Sequence, residues 1–130
     1  MPDDTAGSRD RRDVRTIGVV AYDEKLAERI RSLIANEPDV GEQKMFGGLA
    51  FLIGGNMAVA ASGQGGLMVR VDPAKGETLI AKTHARPMEM RGRSMSGWLR
   101  LDSDDVRQKR ELSKWIDIGV SYAKSLPPKR

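Results

Sequence analysis

The sequence predicts an α+β fold in which helices pack on an antiparallel sheet of about six strands. Three observations support this: apolar segments of strand length, short glycine-rich turns between them, and apolar residues at helical spacing on either side. Hairpin-length turns cannot join parallel strands, which need crossovers of a dozen or more residues. Strands that occur in runs between helices are typical of the α+β class. The predicted order is one helix, four strands, a short helix, two strands and a long helix.

The length of 130 residues suits one domain with its own core. Residues 1–20 mix charges without apolar periodicity, and we expect them to form a disordered extension. The domain is predicted over residues 21–126. Residues 127–130 are expected to be a tail that extends into solvent.

The first helix is predicted over residues 23–36. Leu26, Ile30 and Leu33 recur at helical spacing, which gives the segment one apolar face. Asp23 suits the N-cap position, because its carboxylate can accept a hydrogen bond from a free first-turn N–H. Pro38 ends the helix.

Four strands follow, in "EQKMFG", "GGLAFLI", "NMAVAAS" and "GLMVRVD", separated by "GG" and "GQGG" turns. Alternation assigns nine residues to one face: Leu49, Phe51, Ile53, Met57, Val59, Ala61, Leu67, Val69 and Val71. The opposite face is only half polar and holds Ala50, Leu52, Ala58, Ala60, Met68 and Arg70. A sheet with two fairly apolar faces needs cover on both, or a partner for one.

Asp72 and Pro73 begin a short helix over about residues 73–81, since proline lacks the N–H that is unpaired at a first helical position. "RPMEMRG" and "SGWLRLD" predict a strand pair around Gly92. Asp102 or Ser103 is expected to cap the long last helix. Its buried stripe is predicted to be Val106, Leu112, Trp115, Ile116, Gly119, Val120 and Ala123.

Composition excludes several kinds of site. The chain has no cysteine, which rules out disulfides, thiolate nucleophiles and cysteine zinc sites. The longest mostly apolar run, residues 49–61, is too short to span a bilayer, and no secretory signal is visible. We therefore expect a cytoplasmic protein with no membrane contact.

The glycine-rich region does not have the pattern of a phosphate-binding loop. Such a loop leads into a helix N-terminus, whereas each glycine run here leads into strand residues. His84 is the single histidine and has no obvious catalytic couple nearby in sequence. The acidic residues at 102–105 suit a helix start better than a metal site. We expect no catalytic residues, no metal and no cofactor.

Basic residues are concentrated late in the chain, where residues 82–100 hold five against the single acidic Glu89. Such a patch can attract an acidic protein surface or a phosphate backbone. The chain is also rich in methionine; we expect most of these side chains to fill the core, although flexible thioethers also suit an adaptable partner-binding surface. Trp115 is expected in the core, and Trp98 is expected to pack inward. The predicted contact surface comprises Arg86, Met88, Arg91, Arg93 and Trp98, with Lys44 and Arg70 adjacent.

Four segments resemble the N-terminal domain of the TfoX/Sxy competence regulators: "AYDEKLAERIRSLI", "KMFGGLAFLIGGNMA" with "LMVRV", "HARPMEMRGRSMSGWL" and "WIDIGVSYAKSLPP". Together they cover about residues 21–128. The resemblance implies an α+β domain, a role as co-activator in transcriptional control of DNA uptake, and no catalytic residues to transfer. Longer relatives carry a helical C-terminal domain that does not follow Arg130 here. Compact relatives start near "AYDE", so we expect Val20 to be a start site.

Two function hypotheses follow. The first is a non-enzymatic regulatory or adaptor domain that acts by protein contact, in transcriptional regulation as the resemblance implies. The alternative is direct nucleic-acid binding by the arginines of residues 86–100, although no recognition-helix motif is present. A small-ligand binder or enzyme built on His84 ranks third. The partly apolar outer sheet face also allows a homodimer.

Overall fold

The computed structural model describes residues 21–45, 47–90 and 92–129. It contains a six-stranded, fully antiparallel sheet with strand order β1-β2-β3-β4-β6-β5, as well as three α-helices. The predicted α+β class and the order of elements along the chain are confirmed. The disorder expected for residues 1–20 concerns a part of the chain outside the described residues.

The elements run in the following order: α1 (Glu24–Leu33), β1 (Val40–Met45), β2 (Gly48–Ile53), β3 (Asn56–Ala61), β4 (Leu67–Arg70), α2 (Gly76–Lys82), β5 (Arg86–Met90), β6 (Arg93–Leu101) and α3 (Lys109–Ser125). Two 3₁₀ turns, Pro73–Lys75 and Ser103–Val106, precede α2 and α3. Among the described residues, no helix has the length and apolarity needed to cross a bilayer.

Helix α1 begins as its sequence predicts. The Asp23 carboxylate accepts a hydrogen bond of 3.0 Å from the backbone N–H of Leu26. Leu26, Ala27 and Ile30 are buried against the rest of the core. The helix ends at Leu33, three residues before the predicted end, and residues 34–36 form turns.

The core lies between one face of the sheet and the helices α1 and α3. Helix α3 crosses β3 and β4 with Gly119 at its closest approach, where a Cβ atom would lie 2.4 Å from the carbonyl oxygen of Ala58. Only glycine permits this backbone separation. The largest side chains in this core are fully buried: Trp115, Phe51, Ile30, Leu67, Leu99, Leu101, Leu112, Val59, Val69, Val71 and Val106.

A β-bulge changes the face on which Met57 lies. The register shifts in the β2–β3 ladder, so that Phe51 pairs with Val59 whereas Leu52 pairs with Met57. Ala58 is the extra residue, and it is buried in the core. Met57 consequently lies on the opposite face from Val59. The prediction that these two residues share a face is wrong, because strict alternation does not include a bulge.

The start of α3 also differs from the prediction. Asp102 and Asp105 form a capping box, but it caps the 3₁₀ turn of residues 103–106 and not the long helix. The helix itself begins at Lys109, with Gln108 at the N-cap position. Val106 is a buried residue of the 3₁₀ turn. The other residues of the predicted stripe, including Trp115, are buried residues of α3.

Residues 127–129, which follow α3, are exposed, as expected for a tail, but they are also bonded to the rest of the fold. The backbone N–H of Lys129 donates to the carbonyl oxygen of Gly54 at 2.8 Å. The buried Asn56 side chain donates to the carbonyl oxygen of Pro127 at 2.9 Å. The turn between β2 and β3 therefore holds this end of the described chain.

Candidate protein-contact site on the open face of the sheet

The sheet face opposite the helices carries an apolar pocket of about 140 Å³. Five of the seven methionines of the chain line it, together with Trp98. The five are Met45, Met57, Met68, Met88 and Met95, and we call this cavity the methionine pocket. Because these residues come from β1, β3, β4, β5 and β6, the pocket exists only when the whole sheet is formed.

Small side chains leave room for the pocket at the centre of the sheet. Ala50 of β2 lies directly opposite Ala60 of β3, which in turn lies opposite Met68 of β4. An alanine extends only one carbon from the backbone, whereas a methionine extends four atoms. The short pair next to longer neighbours produces a concave surface in place of a flat one.

The methionine pocket is accessible to solvent but not fully exposed. Five of its lining residues form the rim of the pocket, where each is half-buried: Met45, Met57, Met68, Met95 and Trp98. Met88 is an exception, with only 5% of its surface exposed. It lies at the register shift between Pro87 and Glu89 in the β5–β6 ladder.

Two arginines face each other beside the pocket. Arg86 of β5 pairs directly with Arg100 of β6, an arrangement in which like charges repel. The Arg86 guanidinium donates to the Asp102 carboxylate at 2.5 Å. Arg100 donates to the side-chain oxygen of Gln64 at 2.8 Å and to two backbone carbonyls of the β3–β4 turn. These oxygens reduce the repulsion and fix both side chains.

Arg70 lies against aromatic rings at another part of the rim. Its guanidinium carbon is 5.8 Å from the centre of the Trp98 ring, the residue it pairs with across β4 and β6. It is also 5.6 Å from the centre of the Tyr122 ring on α3. Contacts of this kind are favourable and hold the Trp98 ring in place.

The structure brings together some of the predicted contact residues. Met88 and Trp98 line the pocket, Arg86 is beside it, and Arg70 contacts Trp98. Trp98 is half-buried on the open face of the sheet and is not part of the helix-side core.

The other predicted contact residues lie apart from these. Lys44 is exposed on β1, the edge strand at the opposite end of the sheet order from β5. Arg93 is exposed at the start of β6, opposite Met90. Arg91 lies outside the described residues.

Reasoning from sequence missed four of the lining residues, Met45, Met57, Met68 and Met95. The signal was present in two separate observations, the high methionine content and the half-apolar second face of the strands. What was missing was the connection between them. The bulge that moves Met57 and the pairing of β4 with β6 both depend on tertiary structure.

Among the described residues, His84 has no hydrogen bond or ion pair with a carboxylate or hydroxyl group that would make a catalytic couple. It is exposed, and it lines a shallow cleft with Asp105, Glu111 and Lys114. Within the described ranges, no group of three or more histidine, cysteine or acidic residues could hold a metal ion.

Comparison with known families agrees with this fold. The family model of the TfoX N-terminal domain matches residues 32–123, which is well over half of the chain. The chain belongs to this family. The match includes all six strands and the whole of the methionine pocket. No protein of curated function matches the chain.

Proposed function

We propose that this TfoX N-terminal domain protein is a non-enzymatic cytoplasmic adaptor that binds a partner protein through its methionine pocket, in transcriptional regulation. The observation that carries the proposal is a half-exposed apolar pocket on the sheet face opposite the core, whose lining includes no residue of the helices in the described part of the chain. Membership of the family is compatible with a regulatory role.

The size of the pocket favours a side chain over a cofactor as its occupant. Ligand pockets for small molecules and cofactors measure about 300–1,000 Å³. A dry cavity of about 150 Å³ holds a molecule the size of benzene. The methionine pocket, at about 140 Å³, therefore suits one large apolar side chain supplied by a partner.

The lining of the pocket suits protein recognition. Methionine side chains are flexible and polarisable, so that they can adapt to occupants of different shape. Arg86, Arg100 and Gln64 beside the pocket provide polar groups at its edge. An apolar centre with a polar rim is the usual arrangement of a protein–protein interface.

A capture experiment from native lysate tests this proposal. Met68→Glu places a charge among the thioethers, while its half-exposed position lets the fold persist. We expect this variant to lose a partner that the unaltered protein retains. Lys25→Glu, an exposed change on α1 at the helix side, is the matched control and is expected to retain it. Retention of every partner by Met68→Glu would contradict the proposal.

The arginines form a second test of the same surface. The triple variant Arg86→Glu, Arg91→Glu and Arg93→Glu reverses the charge near the rim, and we expect weaker capture of the same partner. If capture is unchanged, the arginines are not part of the contact, and the pocket alone carries the proposal.

Direct nucleic-acid binding is the second candidate, and the facing pair Arg86 and Arg100 favours it. Both guanidiniums already have oxygen partners, which a phosphate would have to replace. Binding of DNA or RNA that weakens steeply with added salt would support this candidate. Absence of binding at low salt would count against it.

A further inference from the structure

The methionine pocket gathers most of the oxidisable sulfur of the chain in one place. The sequence has no cysteine, so that its sulfur is all in thioethers, and five of these seven side chains line a single cavity. A thioether is apolar, and its oxidised form, the sulfoxide, is polar. The same side chains that make the pocket apolar are thus the ones an oxidant can change.

We propose that the methionine pocket is a site of reversible oxidative modification, in which hydrogen peroxide converts its thioethers to sulfoxides and closes it to apolar side chains. The consequence for a partner rests on the proposed function. The modification itself rests only on the lining and exposure of the pocket.

The chemistry balances with peroxide as the oxidant. The thioether sulfur attacks one oxygen of hydrogen peroxide, the O–O bond breaks, and a new S–O bond forms. The second oxygen leaves as water after proton transfer. Sulfur is oxidised by two electrons and the peroxide is reduced by two. Methionine sulfoxide reductases reverse this modification in cells.

The structure predicts an order of reaction within the pocket. Met45, Met57, Met68 and Met95 are half-buried on the rim, where peroxide can approach them from solvent. Met88 lines the same pocket with only 5% of its surface exposed. We therefore expect Met88 to be the slowest of the five to oxidise.

A sulfoxide in this cavity disfavours an apolar occupant for a simple reason. The S–O dipole needs a hydrogen-bond donor or water, and burying it against an apolar group leaves it unsatisfied at a large cost. Gln64 lines the pocket, and because its side-chain oxygen accepts a bond from Arg100, its amide N–H groups are left to donate to a sulfoxide or to a water beside it. An oxidised pocket therefore retains polar contacts and water in place of an apolar side chain.

The test uses the full chain labelled with ¹³C at the methionine methyl groups and benzene as the pocket probe. In the reduced protein, we expect benzene to shift the methyl signals of the pocket methionines. After hydrogen peroxide treatment, peptide mass spectrometry should show the four rim methionines, Met45, Met57, Met68 and Met95, oxidised before Met88. The benzene-induced shift of the remaining unoxidised methyl signals should be lost.

The matched control replaces the four rim methionines by leucine, in Met45→Leu, Met57→Leu, Met68→Leu and Met95→Leu. Leucine conserves apolarity and approximate volume but cannot be oxidised. Benzene should still shift the Met88 signal of this variant, before and after peroxide. Equal loss of the response in the variant would overturn the proposal, as would oxidation of Met88 as fast as Met57.

The outcomes separate the two proposals. If benzene shifts no pocket methionine in the reduced protein, the pocket does not accept apolar groups and the proposed function fails. If benzene binds equally well before and after complete oxidation of the rim, only the oxidative inference fails.

Discussion

The two faces of the sheet use the same strands for different purposes. On the helix-covered face, Phe51, Val59 and Val69 are fully buried against α1 and α3. On the open face, Met57 of β3 and Met68 of β4, the strands that also carry Val59 and Val69, remain half-exposed around a pocket. Neighbouring residues along one strand therefore serve the core and the surface in turn.

The side-chain types on the two faces reflect this division. Val59 and Val69 are branched at Cβ and have few rotamers, which suits a tightly packed core. Methionine has three flexible torsions and can fill a space of changing shape. The covered face stabilises the fold, and our proposal assigns partner binding to the open face. Tests that treat the two faces in matched pairs can confirm or contradict this division.

The two tryptophans give the largest expected contrast. Trp115 projects from α3 into the core and is 1% exposed, so Trp115→Ala should lower the free energy of unfolding by about 3–5 kcal/mol. Trp98 is half-buried on the open face, and Trp98→Ala should cost less than about 2 kcal/mol. Urea denaturation of the two variants measures both values. A similar cost for both would mean that the open face is a second core.

Two glycines give an intermediate contrast. At Gly119 an added Cβ meets the Ala58 carbonyl oxygen at 2.4 Å, so Gly119→Ala should destabilise the protein by about 1–3 kcal/mol. Gly76 begins α2 with helical φ and ψ and no atom within 4 Å of an added Cβ. Gly76→Ala should therefore raise stability by about 0.4–1 kcal/mol. Thermal unfolding distinguishes the two signs, and a harmless Gly119→Ala would show that α3 packs less closely than described.

The smallest expected effect is a pH dependence at the edge of the covered face. The Arg31 side chain donates to both carboxylate oxygens of Glu42, and this hydrogen bonding lowers the pKa of Glu42. A carboxyl group whose pKa is lower in the folded state stabilises the fold above its unfolded pKa of about 4.3. That contribution is lost as the pH falls from there through the lowered value.

Glu42→Gln isolates this contribution. The variant should be slightly less stable than the unaltered protein at pH 7, with the difference disappearing on acidification below the folded pKa. Unfolding measured in urea over a series of pH values follows the difference. A difference that is independent of pH would show that the Arg31–Glu42 ion pair does not contribute through its charge.

Most of the fold could be predicted from the sequence because its signals are local. Asp23 caps α1 through a bond to a residue three positions away, and the glycine turns of "GG" and "GQGG" join neighbouring strands. The order of elements and the antiparallel class follow from such signals. The binding of residues 127–129 to the β2–β3 turn could not be predicted, since it joins distant parts of the chain.

The candidate site was only partly predictable for the same reason. Met88, Trp98 and Arg86 come from one hairpin and were recognised as a group. The other half of the pocket comes from β1, β3 and β4, and the bulge in the β2–β3 ladder decides which side Met57 occupies. Face assignments of this kind require the register of the sheet.

The accessibility of the two tryptophans to a soluble paramagnetic agent tests the central claim most directly. A neutral gadolinium chelate broadens NMR signals of groups that solvent can reach, and the Trp98→Phe variant assigns the two indole signals. At low protein concentration, we predict strong broadening for Trp98 on the open face and none for Trp115, which α3 buries in the core. Equal protection of both indoles would contradict an open methionine face.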